Sequence, residues 1–266
     1  MTELEKLWVV FRYEFLKHLR RKRLYVILGL TLLAELAVLV ILPVLMDGYP
    51  DNALLMATVM TIGSSLATIG AVFFAGDAIA GEFESKTGFM LFTNPVKRTT
   101  LVFGKYLAAF MAVSIVIIFG YLITIGSLLA IYQSVPVETA ESLGLCLLAG
   151  GAVVSVTFLF SAFSKGSMGA TVISLVFIMV ISPVIESVLM LAGEPSWFMI
   201  STAIDSVATV YGGYELLLGL IPAEQIGQIP FEFNTPDTGL CALAMGCYLV
   251  VCFVASVWIS RRRQLS

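Results

Sequence analysis

Six apolar runs, each long enough to cross a bilayer, divide this 266-residue chain: Leu24–Met46, Asn52–Gly76, Leu101–Ile131, Glu141–Phe163, Met168–Ala192 and Thr238–Ile259. An α-helix rises 1.5 Å per residue, so about 20 apolar residues cover the roughly 30 Å of bilayer hydrocarbon and satisfy their own backbone in lipid. Barrel strands would be half that length and would alternate, which these runs do not. With 59% hydrophobic and only 12% charged residues, the chain has too little polar surface for a soluble globule. The expected fold is therefore an all-α integral membrane protein, one transmembrane domain over residues 1–266 with six spans. The first run begins only after about two dozen residues and is too long for the core of a signal peptide, so the N-terminus is expected to stay on the chain.

The basic residues orient the bundle. Of 15 Lys and Arg, seven precede the first span (Lys6 to Arg23) and four lie in or beside the loop between spans two and three (Lys86, Lys97, Arg98, Lys105). Lys165 falls between spans four and five, and Arg261, Arg262 and Arg263 follow the last. Every one falls on the same side of the predicted topology, so the positive-inside rule puts both termini in the cytoplasm. Acidic residues such as Asp47, Asp51, Glu138, Glu194 and Asp237 gather on the other side, so the net charge of −3 hides a polarity across the membrane.

Within the spans, polar residues are candidates for a pathway. Glu35 lies near the middle of the first span, where a carboxylate costs roughly 3 kcal/mol or more to insert, so it should face other helices or a cavity. Thr58, Thr61, Ser65 and Thr68 recur at helical spacing along one face of the second span. Thr171, Ser174 and Ser182 follow less regularly in the fifth, and Glu186 lies toward its outer end. Small and hydroxyl side chains on such faces are more often packing than pathway. Cys146, Cys241, Cys247 and Cys252 read as apolar thiols without a C-x-x-C pair, and the lone His18 gives no metal cluster. The sequence offers no catalytic constellation and no nucleic-acid-binding pattern.

Two segments outside the spans are ordered. Residues 2–20 form an amphipathic pattern with Leu4, Trp8, Phe11, Phe15 and Leu19 on one face, suited to an interfacial helix. Residues 77–94 read as a second amphipathic helix, with Asp77 as its cap, Glu82 and Glu84 in its first turns and a stop at Asn94-Pro95. The stretch 193–237 is broken by Asp205, Gly212, Gly213, Glu215 and Pro222, and is expected to form outer-side interfacial or re-entrant helices. "GEFESKT" is no phosphate-binding loop, because Ser85 rather than Gly precedes Lys86.

The segment "DAIAGEFESKTGFMLFTNPVKRTTLVFGKYLA", Asp77 to Ala108, resembles the cytoplasmic segment of type-2 ATP-binding-cassette permeases. The matching positions are Gly81-Glu82, Thr87-Gly88, Pro95 to Arg98 and Gly104-Lys105. The form is closest to the branch associated with multicopper-enzyme maturation, including permeases linked to nitrous oxide reductase assembly. The resemblance implies a permease, usually an exporter, paired with a second copy or a sister subunit and with two cytosolic ATPase subunits that bind ATP and Mg. It makes residues 77–94 a coupling helix with Asp77, Gly81, Glu82, Phe83, Glu84, Thr87, Gly88, Pro95 and Arg98 as ATPase-coupling residues. It also makes residues 2–20 a membrane-surface elbow, and lines the pathway with spans two and five. A secondary transporter or channel is the alternative reading. It would need coupling-ion acids at mid-membrane, for which Glu35 is the strongest candidate.

Overall fold

The structure, a computed structural model, describes residues 2–84, 97–212 and 236–262, and not the side chains of 62–64 and 83. All its described regular structure is helical. Helix α1, Glu3–Arg20, begins with a capping box: the Thr2 hydroxyl accepts the Glu5 N–H and the Glu5 carboxylate accepts the Thr2 N–H. This satisfies two N–H groups that would otherwise lack partners, and the Thr-x-x-Glu spacing that produces it is legible in the sequence. After an extended Arg21 the chain turns directly into α2, Lys22–Leu45.

Helix α3, Ala53–Ala75, is capped by the Asn52 side chain on the Leu54 N–H. A short α4, Ala80–Glu84, follows the corner at its end. Helix α5, Arg98–Tyr132, has 35 residues and a length of about 50 Å, so it overhangs the hydrocarbon core by several turns. Gln133 closes it in the left-handed conformation. Helix α6 runs over Glu138–Phe163. The fifth span consists of α7, Ser167–Val176, a π turn at Phe177–Ile181, and α8, Ser182–Leu191. A short α9, Ile200–Thr209, precedes α10, Thr238–Arg262.

Among the described residues six helices are long and apolar enough to cross a membrane, and they coincide with the six apolar runs to within a few residues at each end. Helix α6 is the centre of the bundle, with Ala152, Val153, Val154 and Phe158 fully buried between α5, α3 and α10. By contrast α2, α7–α8 and α10 keep broad apolar outer faces, including Leu33, Val44, Val184, Leu243 and Val251. Water would penalise faces of that size; lipid does not.

Helix α9 lies buried against α6 and α10, with Ile200, Ala203 and Val207 inside. A hydroxyl relay holds it: Tyr121 and Ser142 share a 2.6 Å hydrogen bond, and the Ser142 hydroxyl donates to the Val207 carbonyl at 2.8 Å. The rest of the expected outer segment, 213–235, and residues 85–94 of the expected coupling helix lie outside the described residues.

Candidate functional site at the corner after the second span

The corner from Gly76 to Ala80 turns around one hydroxyl. Ser161, fully buried near the end of α6, donates to the Gly76 carbonyl at 2.9 Å and accepts the N–H groups of Ile79 and Ala80 at 3.2 and 3.0 Å. It thus serves the last turn of α3 and the first turn of α4 at once, partnering backbone groups that helix ends leave exposed. Nothing in "FLFSAF" advertises this role, because the partners are distant in sequence. Gly76 also lets α7 approach: a Cβ there would collide with the Thr171 side chain.

The acidic residues of the corner pair with side chains and backbone of other elements. The carboxylate of Asp77, expected to cap the following helix, instead pairs with Arg21 and with Arg23, the latter at 3.4 Å, at the junction of α1 and α2. Arg23 also donates to the Phe73 carbonyl at 3.3 Å. Glu82 reaches the ammonium of Lys105 on α5 at 2.5 Å. Glu84 accepts both the N–H (2.8 Å) and the hydroxyl of Ser167, capping the first turn of α7. These two Ser167 bonds hold the Glu84 carboxyl below its ordinary range. Gly81 faces Ser167 across the same gap. Thr87, Gly88 and Pro95 lie outside the described residues, as does the side chain of Phe83.

Lys105 is the hub of this arrangement. Only 3% exposed, its ammonium meets Glu82, Glu14 of α1 at 3.2 Å, and the Ala78 carbonyl at 2.9 Å. A buried ammonium demands such partners, and three acceptors match its three donors. Gly104, the preceding residue, admits α1: a Cβ would lie 2.7 Å from Cγ1 of Val10. The Gly-Lys pair therefore holds the N-terminal helix by shape and by charge. Burial opposes ionisation of Glu14, but Lys105 and Lys17 outweigh it and hold the carboxyl below its usual range. One turn on, His18 packs edge-on against Phe74 of α3 with ring centres 5.6 Å apart. Burial pushes its pKa down to about 4, against the pull of Glu14 and Asp77.

Arg98 opens α5 and closes α10, donating to the carbonyls of Ser260 and Arg261 at 3.5 and 3.4 Å. A cation at a helix C-terminus is favourable there. Of the predicted apolar face of α1, Leu4 and Trp8 are exposed whereas Phe11, Phe15 and Leu19 are half-buried, so that face is divided between the bundle and its surroundings.

Most of the candidate pathway hydroxyls bond within their own helix. The hydroxyls of Thr58, Thr61 and Thr68 donate to the carbonyls of Leu54, Ala57 and Ser65 in their own helix. Thr171 and Ser174 do the same to Ser167 and Ala170. Ser182 differs: its hydroxyl donates to Ser201 at 2.9 Å and accepts the Ser201 N–H at 3.1 Å, tying α8 to the start of α9. Glu35 is fully buried in α2, one turn after buried Thr31, and Glu186 is half-buried in α8.

Any displacement of residues 77–84 must strain links to α1, α2, α5, α6 and α7 together. Six membrane-length helices define a multi-pass membrane protein. Residues 10–181 match the profile of the family described as ABC-2 family transporter protein. That match covers more than half of the chain, and the protein belongs to this family: it is an ABC transporter permease. No curated protein matches the chain.

Proposed function

We propose that the protein is the permease subunit of an exporter driven by separate cytosolic ATPase subunits, which bind ATP and Mg and supply the hydrolysis. Two permease copies, or this chain and a sister subunit, form the transmembrane unit in lipid, with both termini and the corner after the second span in the cytoplasm. Family membership implies an ATP-binding cassette partner. The observation that carries the coupling role is the pairing of Asp77 with Arg21 and Arg23, of Glu82 with Lys105 and of Glu84 with Ser167. Residues 77–94, with Thr87, Gly88 and Pro95, receive the push of ATPase closure, and the acids pass it to the bundle. The exposed apolar side chains of α1, among them Leu4, Trp8, Val9, Tyr13 and Leu16, support it as the membrane-surface elbow.

Spans two and five are the proposed pathway walls, from Thr58 to Thr68 and from Thr171 to Glu186. The segment Asp77–Ala108 supports the multicopper-enzyme-maturation branch. A deletion strain whose copper enzymes remain fully metallated would speak against that branch alone. The direct test is affinity purification of the tagged chain from its native membranes, with and without Glu82→Arg. The wild type is expected to retain an ATPase bearing a phosphate-binding loop, and the variant to retain less of it. A wild type that never retains one, or a variant with unchanged co-purification and transport, overturns the coupling role.

One observation favours a second reading. Glu35 is fully buried in the first span, as a coupling-ion acid of a secondary transporter would be. Transport in ATPase-free liposomes driven by a proton gradient would select that reading.

A further inference from the structure

Where α5 begins and α10 ends, an open cleft of about 370 Å³ is lined by Lys97, Arg98, Thr99 and Arg261. Three of its four walls are cationic. Lys97 stands 3.9 Å from the carboxylate of Glu3, which also accepts from Lys6 at 3.3 Å and Thr100 at 3.2 Å. That one carboxylate is shared between Lys6, Thr100 and Lys97, while Lys97 and Arg261 each bring a full positive charge to the cleft. Arg98 is fixed as one wall by its bonds to the Ser260 and Arg261 carbonyls, which also hold the two helix ends together.

Depth identifies the environment. One turn before the end of α10, Trp258 is half exposed, and Arg262 lies over its ring at 4.0 Å. A Trp with a long basic side chain folded over it marks the headgroup level of a bilayer, where amphipathic rings and snorkelling cations concentrate. A cationic cleft between two span ends at that level meets lipid phosphate before anything else.

We propose that this cleft binds the phosphodiester of an anionic phospholipid, with Lys97 and Arg261 as the ion-pairing residues, Thr99 as a hydroxyl donor and Arg98 as the positioning residue. A lipid seated there bridges the N-terminal end of α5 and the C-terminal end of α10, beside the ion cluster of Lys105.

The test is native mass spectrometry of the full-length protein released from micelles containing equal amounts of phosphatidylglycerol and phosphatidylcholine. Preferential retention of phosphatidylglycerol, weakened by salt, is expected. In Lys97→Gln/Arg261→Gln the preference should fall by roughly twentyfold, at about fivefold for each removed charge. The exposed pair Arg20→Gln/Lys22→Gln, elsewhere on the same surface, should leave it unchanged. Equal retention of the two lipids by the wild type overturns the proposal without recourse to any variant. So does an equal loss in both double variants, which would mean that surface charge alone is read. Inorganic phosphate that binds lipid-free protein and displaces phosphatidylglycerol in full would make the ligand free phosphate and overturn it too. Melting temperatures in neutral micelles check that each variant is folded.

Discussion

The ammonium of Lys105 lies 3.2 Å from the carboxylate of Glu14, which joins the N-terminal helix to the third span at a site closed to solvent. Glu82 completes the cluster from the corner, so one cation holds two segments that the chain delivers from different directions.

Removing that cation leaves two half-buried carboxylates without their shared partner. Lys105→Met is expected to lower stability by about 3–5 kcal/mol, the usual cost of breaking a buried ion pair from one side. Adding Glu14→Gln and Glu82→Gln should restore much of the loss, since neutral amides tolerate burial better. Thermal melting in detergent across this set checks the coupling; additive losses would mean that the three side chains do not act as a unit.

Ser161→Ala deletes one oxygen and orphans the N–H groups of Ile79 and Ala80 together with the Gly76 carbonyl. A loss of about 2–3 kcal/mol is expected. The corner should also exchange its amide hydrogens faster, while α9, which is held by a separate relay, keeps its protection. Hydrogen exchange read by mass spectrometry separates the two regions.

Gly104→Val should push α1 off α5, because a side chain there meets Val10 at once. The expected cost is about 1–3 kcal/mol, as for other overpacked contacts. Val10→Gly in the same chain should recover part of it. Cross-linking yield between cysteines placed on α1 and α5 reports the displacement directly.

His18 makes stability depend on pH in one defined window. Its folded pKa of about 4 lies below the ordinary histidine value of 6.5, so between those values the unfolded chain binds the extra proton. Stability is therefore complete above pH 6.5 and declines as pH falls toward 4, by roughly 3 kcal/mol in all. Glu14 and Glu84, whose carboxyls are held low, lose their contributions only at still more acidic pH. His18→Phe should flatten the melting profile between pH 6.5 and 4.5 while leaving the steeper loss below it; an unchanged slope would remove His18 as its source.

The spans were legible because apolar length is a local property that lipid reads residue by residue. Helix α6 was predicted over Glu141–Phe163 and runs over Glu138–Phe163; α10 was predicted over Thr238–Ile259 and runs over Thr238–Arg262. Three-dimensional pairing was not legible. Lys105 counted in the sequence as a cation beside the loop, at the opening of its predicted span, and nothing local showed that the fold turns it inward against Glu14 and Glu82. Asp77 had the sequence context of a helix cap, but Arg21 and Arg23 are stronger partners for a carboxylate than backbone N–H groups, and they claim it. The hydroxyl stripe of α3 was found at the right spacing, while its hydrogen bonds to preceding carbonyls follow from helix geometry and not from any conduit. Ser161 left no trace at all, since a serine in an apolar run has the same composition whether or not a distant corner needs it.

The π turn at Phe177–Ile181 sets the angular phase of the fifth span. A wide turn accommodates one residue more than an α turn, and each residue of an α-helix accounts for about 100° of rotation. Everything beyond it, including the Ser182 hydroxyl that grips Ser201, owes its bearing to that one surplus residue. Deleting a single residue from 177–181 would therefore leave the helix its apolar character and nearly its length, yet turn its outer half away from α9, like a key cut correctly and inserted a quarter-turn out.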